Sequence, residues 1–217
     1  MQSPFLPDFD HLPTTLPIFP LQRALVFPGA QLPLNIFEPR YLNMVQDAMA
    51  THHLIGMVQP DERNDEPAHG VHTTGGAGRI TYYSETRDGR IEIILTGVCR
   101  FDIVRELTSI RGYRLVEPDW RRFHNDYVLS THDEQPERER FFTVLDDYLT
   151  AKALEIDTAA IRQMTFPLLV NVLCTLLPLS HEDKQRMVEA VGFSDQYRLL
   201  SLAIGMTDYD VPRHLKH

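Results

Sequence analysis

The stretch FPGAQLPLNIFEPRYLNMV, residues 27–45, carries three prolines in its first thirteen positions and then becomes helical in pattern. QLPLNIF (31–37) reads as a short apolar extended run. Proline cannot donate to a ladder, so Pro33 marks an edge, a strand start or a bulge. At Glu38-Pro39 the pattern changes. Pro39 has its φ preset for the first position of a helix and gives up no hydrogen bond that is needed there. Tyr41, Leu42, Val45, Ala48 and Met49 then recur at helical spacing, predicting one buried stripe through about Thr51.

Outward from this stretch, the first 120 residues read mostly as strands. TLPIF (15–19) is a second short apolar run, and LIGMV (54–58) reads as a buried strand. Residues 59–76 are polar and turn-rich, which predicts a long loop. RITYYSET and RIEIILTG flank Arg87-Asp88-Gly89-Arg90, where Asp-Gly offers the positive φ values of a tight hairpin. Ile91, Ile93, Leu95, Cys99, Phe101 and Ile103 keep one apolar face, with Gly97 on the same face, which predicts one long strand bent at Gly97. GYRLVEPDW (112–120) closes this region. Short, proline-broken strands with one inserted helix suggest a small, partly open barrel.

After Trp120 the period switches from two to 3.6. Residues 121–133 read as a charged connector. Phe141, Phe142, Leu145, Tyr148 and Leu149 then form a helical stripe. A second helical segment starts near Asp157 and should break or kink at Pro167. Ser180 with Asp183 resembles a capping box for a helix that Gly192 ends, and Ser194 is placed to cap a last helix. The expected architecture is α+β, with a barrel subdomain over 12–120, the connector, and a helical bundle over 134–210.

Composition is that of a soluble globular chain, 43% hydrophobic and 24% charged, with ample length for a core. No run approaches the roughly 18 uninterrupted apolar residues of a membrane span, and MQSPFLPDFDHLP lacks the basic-then-apolar form of a secretory signal. The two cysteines, Cys99 and Cys174, sit in apolar periodic segments outside any disulfide or zinc spacing, which points to reduced thiols in a cytoplasmic protein. The net charge of −9 is spread over both halves, so neither offers the positive field that dominates nucleic-acid binding.

Several groups of residues together resemble a known family. They are LPIFPL (Leu16 to Leu21), FPG (Phe27 to Gly29), LPLNIFEPRY (Leu32 to Tyr41), GAGRI (Gly76 to Ile80) and GVCRF (Gly97 to Phe101). In the helical half, Leu176 to Leu179, Lys184-Gln185 and Arg198 to Leu200 correspond. From about Leu12 to Ile204 the chain is similar to the N-terminal substrate-recognition domain of Lon proteases, and more closely to short bacterial proteins made of this domain alone. The resemblance implies a PUA-like pseudo-β-barrel followed by a helical bundle. It also implies binding of substrate segments, while other Lon domains carry the chemistry. The sequence here ends at His217 and has no G-x-x-x-x-G-K-[ST] phosphate cradle; GGAG runs into Arg79-Ile80 and a strand. None of Lys152, Lys184 and Lys216 has a serine in a recognisable Ser–Lys protease motif. The expectation is a non-catalytic module that binds unfolded or apolar polypeptide segments or a partner protein, with no cofactor and no metal. The alternative is a small-molecule-binding protein or enzyme using the cleft between barrel and bundle.

The candidate peptide-binding residues are Leu32, Leu34, Ile36, Phe37, Glu38, Arg40 and Tyr41. Proline-rich turns would hold the first four in a ladder-poor conformation, leaving apolar side chains beside unpaired backbone, the features that capture an extended peptide. The same residues read more simply as a plug for the barrel, and Arg40 as a helix anchor paired with a carboxylate. His69-x-x-His72, near Glu62, Asp65 and Glu66, has metal-ligand chemistry but no fixed geometry, so a solvated loop is the simpler reading. Cys174 with His181 has nucleophile–base chemistry, yet an apolar segment makes the thiol inert. Arg79 and Arg100, on neighbouring strands, have the chemistry to hold a carboxylate or phosphate, although outward-facing strand arginines are common.

Overall fold

In a computed structural model, which describes residues 7–61, 70–127 and 135–205, the strands are β1 (Leu16–Pro20), β2 (Gln31–Ile36), β3 (Leu54–Val58), β4 (Thr74–Glu85), β5 (Ile91–Leu107) and β6 (Arg114–Asp119). The longest, β5, serves three neighbours. Its first half is antiparallel to β2, its second half to β6, and β4 runs beside it from Thr74 opposite Asp102 to Glu85 opposite Ile91. β1 lies parallel to β3 and antiparallel to β6, while β3 is antiparallel to β4. The order β1-β3-β4-β5-β6 therefore returns to β1 as a closed ring, with β2 outside it on β5.

The long apolar stripe of β5 is one strand, as its periodicity predicts, but it feeds two cores. Ile91, Ile93 and Leu95 pack with Ile36, Val45 and the helices, whereas Cys99 and Phe101 fill the ring with Leu16, Ile18, Leu54 and Trp120. The change falls at Gly97. There the register with β4 shifts, Gly78 facing Gly97 and Ala77 facing Cys99.

The reason for Gly97 is a crossing chain. Residues 25–30 run over the sheet, with the Gly29 N–H donating to the Gly97 carbonyl at 2.9 Å and the Gly97 N–H to the Ala30 carbonyl at 2.8 Å. A Cβ on Gly97 would overlap the Phe27 carbonyl oxygen, and one on Gly76 the Val26 carbonyl oxygen. Gly29 itself has φ +76°, a left-handed conformation that glycine adopts without strain. The spaced glycines of FPG, GAGRI and GVCRF thus share one contact.

Some local expectations shift. β4 begins at Thr74, inside the span read as loop. The hairpin after it spans Thr86 to Arg90, and only Gly89 has positive φ, not Asp88. β2 is not ladder-poor: all six of its residues pair with β5.

The first helix, α1 (Pro39–Met49), starts with Pro39 at its first turn and buries Tyr41, Met44, Val45 and Ala48. A 3₁₀ segment over Arg121–Tyr127 plugs the ring with Phe123, so this part of the expected connector is ordered. Then come α2 (Gln135–Ala151), α3 (Thr158–Arg162), α4 (Phe166–Leu176), α5 (His181–Glu189) and α6 (Phe193–Ala203). The break between α3 and α4 precedes Pro167, which occupies the first turn of α4. Ser180 caps α5 through Asp183 N–H at 3.0 Å as expected. Gly192, however, is the N-cap of α6 rather than the end of α5, displacing Ser194 from that role.

Helices and sheet share one apolar cluster, in which Ile36, Val45 and Leu95 meet Leu145, Leu173 and Leu200. Lys184 is buried on α5 beside it, and its ammonium donates to the Thr175 carbonyl at 2.8 Å. Burial brings its pKa down to about 8 from an ordinary 10.5.

Two predictions follow from this packing. Gly97→Ala or Gly76→Ala should lower the unfolding free energy by about 3 kcal/mol or more in urea titrations. Gly192→Ala, with no described atom within 4 Å of its Cβ, should change it by less than about 1 kcal/mol. For Lys184 the folded chain binds fewer protons than the unfolded chain between about pH 8 and 10.5. Its penalty is therefore full below pH 8 and is relieved as the pH rises. Lys184→Met should be more stable than the parent by roughly 3 kcal/mol at pH 7, a gap that closes as the pH passes 10 in parallel denaturation curves.

Candidate functional site

The β2–α1 junction sorts the seven candidate residues onto two sides. In β2 the alternation puts Leu32, Leu34 and Ile36 toward the shared core, Ile36 with 1% exposure, and leaves Gln31, Pro33 and Asn35 exposed. Tyr41 is buried too, its ring 4.1 Å from that of Phe19, and burial raises its pKa. Phe37, Glu38 and Arg40 remain on the surface side. Phe37 is 63% exposed, with the Arg90 guanidinium 6.0 Å from its ring.

Arg40 pairs with Glu38 at 2.8 Å, and both side chains are half-exposed. Its guanidinium also lies 4.6 Å over the Tyr41 ring. Pairing within one turn does not anchor α1 to the sheet. That work falls to Arg111, beyond the end of β5: it bonds Asp47 at 2.5 Å and Asn43 at 3.0 Å, while Tyr113 donates to Asp47 at 2.8 Å. Burial first, and the Asp47 hydrogen bond next, push the Tyr113 hydroxyl up to about 12. The adjacent hairpin tip holds Ile110 at 97% exposure.

The exposed parity of β2 extends across its neighbours. Pro33 stands opposite Ile94 of β5, which stands opposite Tyr82 of β4, so a proline, an isoleucine and a tyrosine line one row. Tyr82 is exposed and Ile94 half-buried. Because Gly97 bonds Ala30, alternation along the ladder places the β5-directed groups on Leu32, Leu34 and Ile36. The main-chain groups of Gln31, Pro33 and Asn35 point away from β5, along the outer edge of the sheet. This is the opposite parity from the leucines that the sequence brings to notice. Its signal was Pro33, which fits only where no N–H is required.

The other candidate groups have structural partners. Arg100 is buried rather than outward-facing. It forms a fork with Asp126 (2.6 Å), donates to the Val188 and Ala190 carbonyls, and lies 4.6 Å over the Phe123 ring, joining β5, the 3₁₀ segment and α5. Arg79 bonds the His52 carbonyl and His53 Nδ1. Cys174 is fully buried, with burial pushing its thiol up to about 12, and its sulfur meets Met187 Sδ at 3.6 Å. His181 engages His72, Nε2 to Nε2 at 3.1 Å. His69, Glu62, Asp65 and Glu66 lie outside the described residues, where no His-x-x-His geometry is assigned. A hollow of about 600 Å³ lies between the end of α2 and α3, lined by Asp146, Leu149, Leu154 and Ile156, within the helical part. Among the described residues no helix is long and apolar enough to cross a membrane.

Residues 15–204 match the family described as the ATP-dependent protease La (LON) substrate-binding domain, and the chain belongs to that family. It is similar to the Lon protease of Flavobacterium johnsoniae, 26% identical over 201 residues, covering 86% of this chain and 23% of that protein. It is also similar to Lon protease 2 of Myxococcus xanthus, 24% identical over 206 residues, covering 92% of this chain and 24% of that one. The chain thus spans about a quarter of the length of these relatives. Among solved structures, a Lon N-terminal domain protein from Xanthomonas campestris superposes with a TM-score of 0.60 at 25% identity, over 90% of this chain and all of that one. The N-terminal domain of the Mycobacterium avium complex Lon protease gives 0.61 at 14% identity over 88% of this chain and 97% of that one, a likeness of fold alone.

Proposed function

We propose that this chain is a non-catalytic recognition module for apolar, extended polypeptide segments, received at the exposed side of the β2–α1 junction. The family match over residues 15–204 carries the reading. In the finer architecture we propose, the closed ring with α1 inserted is a PUA-like pseudo-barrel over 12–120, and 134–210 is a helical bundle docked on it. Phe37 is the anchor, and the outward main chain of Gln31, Pro33 and Asn35 supplies the groups that a strand-like guest pairs with, beside the exposed Pro33 ring. Pro33 removes one donor from that edge, so capture is reversible and self-pairing of the edge is weak. Leu32, Leu34, Ile36 and Tyr41 then support the site from beneath, while Glu38 and Arg40 frame it.

The engagement of Cys174 and His181, the pair with nucleophile–base chemistry, supports a non-catalytic role. Cys174 has a raised pKa and a thioether neighbour, and His181 faces His72. The negative charge and reduced cysteines fit a cytoplasmic setting with polypeptide rather than nucleic-acid partners.

Fluorescence anisotropy with a permanently unfolded, reduced reference protein and an apolar peptide library tests the reading. Saturable binding with little salt dependence is expected, weakened about tenfold by Phe37→Ser without a change in melting temperature. No saturable binding up to high micromolar concentration in either set would contradict it.

A further inference from the structure

The arm ahead of β1 lies over the 3₁₀ segment that plugs the strand ring. Phe9–His11 forms a single 3₁₀ turn, in which residues three apart share one side, so Phe9 and Leu12 face the same way. Leu12 enters the ring core with Phe101, Trp120 and Phe123, and Phe9 packs against that cluster. The Phe9 ring meets the His124 ring edge-on at 4.6 Å between centroids, and the Tyr127 ring at 5.5 Å. Trp120 Nε1 donates to the Pro13 carbonyl at 3.0 Å. Among the described residues this is the one hydrogen bond that ties residues 8–13 to the ring. The arm's other bonds are its own, from the His11 N–H to the Asp8 carbonyl and from the Leu12 N–H to the Phe9 carbonyl. Asp8, Asp10 and His11 stay exposed.

We propose that the seat formed by Trp120, His124 and Tyr127 is a second docking site for polypeptide, taking a one-turn segment with a phenylalanine and a leucine three positions apart. Residues 8–13 occupy it in cis and give way to such a segment in trans. Their hold comes from two apolar side chains and one carbonyl, contacts that any peptide of the same pattern repeats. The seat also keeps a polar group that the arm leaves unused. The Tyr127 hydroxyl is buried and has no hydrogen-bond partner among the described residues, a cost that a guest carbonyl reaching it removes. Burial first, and then the neighbouring Cys99, Asp126 and Asp8, raise its pKa, so the hydroxyl keeps its proton and stands as a donor. The site rests on the same reading of the chain as a polypeptide-binding module, but it shares no residue with the β2–α1 junction.

Trp120 is the chain's one tryptophan, so its fluorescence reports on this seat alone. Beneath the arm it is 8% exposed, and release of the arm opens it to water.

Acrylamide quenching of Trp120 in the full chain tests the site, with a synthetic peptide of the arm's own sequence, PDFDHLPTT (7–15), as the probe. Phe9→Ser should raise the quenching. Added peptide should restore the parent value saturably, binding this variant about tenfold more tightly than the parent, whose seat is filled. The peptide carrying Phe9→Ser should not restore it. Quenching unaltered by Phe9→Ser, or no saturable effect of the peptide on that variant, would overturn the site. A reduced, unfolded, tryptophan-free protein containing Phe-x-x-Leu separates this site from the junction. Its binding to the parent without any change at Trp120 overturns the seat and leaves the junction standing. Restoration by the peptide, with no binding of the unfolded protein, supports the seat and contradicts the junction. Should Phe9→Ser fail to fold, deuterium exchange of the Trp120 indole proton in the parent chain decides. Exchange in urea well below the unfolding transition, ahead of the Phe101 amide, supports a releasable arm, and exchange only through global unfolding overturns it.

Discussion

The passage of residues 26–30 between sheet and helices is the constraint on which the rest of the structure depends. On one side, Gly76 and Gly97 bring the main chain of Val26 and Phe27 against β4 and β5 closer than any side chain would permit. On the other side, α4 takes hold of the same segment. The Phe27 N–H donates to Thr175 Oγ1 at 3.3 Å, Asn171 donates to the Pro28 carbonyl at 2.9 Å, and the space beside Gly29 is filled by Leu168. Polar groups that would otherwise be buried without partners are satisfied from both layers. The ring and the helices meet through this strap as well as through their apolar side chains.

A second tie reinforces it. Arg100 reaches from β5 to Asp126 and to the last carbonyls of α5, where a cation is favoured by the helix dipole. Removing one partner of such a buried pair leaves an uncompensated charge, which is strongly destabilising. Lys184 is the contrasting case, a buried ammonium held by a carbonyl at the cost of a depressed pKa. With the scaffold fixed in these ways, the exposed side of the β2–α1 junction is left to present Phe37 and the outer row of the sheet to solvent.

Much of this was legible in the chain because local rules governed it. Pro39 announced α1, the two-residue period announced β5, and Ser180 with Asp183 announced α5. What escaped was set by contacts distant in sequence. Gly97 read as a bend because nothing in the local pattern reports that Phe27 crosses there. Gly192 read as a stop, whereas the chain had already left α5 at Ala190 and used the glycine to open α6. Arg100 read as outward because its partner lies beyond β6, in a segment that looked like a solvated connector. At the candidate site, the leucines of β2 drew attention by their apolarity. Strand parity then assigns them to the core and gives the surface to Pro33, Ile94 and Tyr82, residues that composition alone would not have grouped.

The exposed side of the β2–α1 junction is the proposed place of contact with a polypeptide guest. It is tested most directly by mapping amide chemical-shift and hydrogen-exchange changes in the parent chain as an unfolded polypeptide is added. Changes should concentrate at Gln31, Asn35 and Phe37, with the outward amides of Gln31 and Asn35 gaining protection. Changes concentrated on α4 to α6, with the outer edge of β2 unaffected, would contradict it.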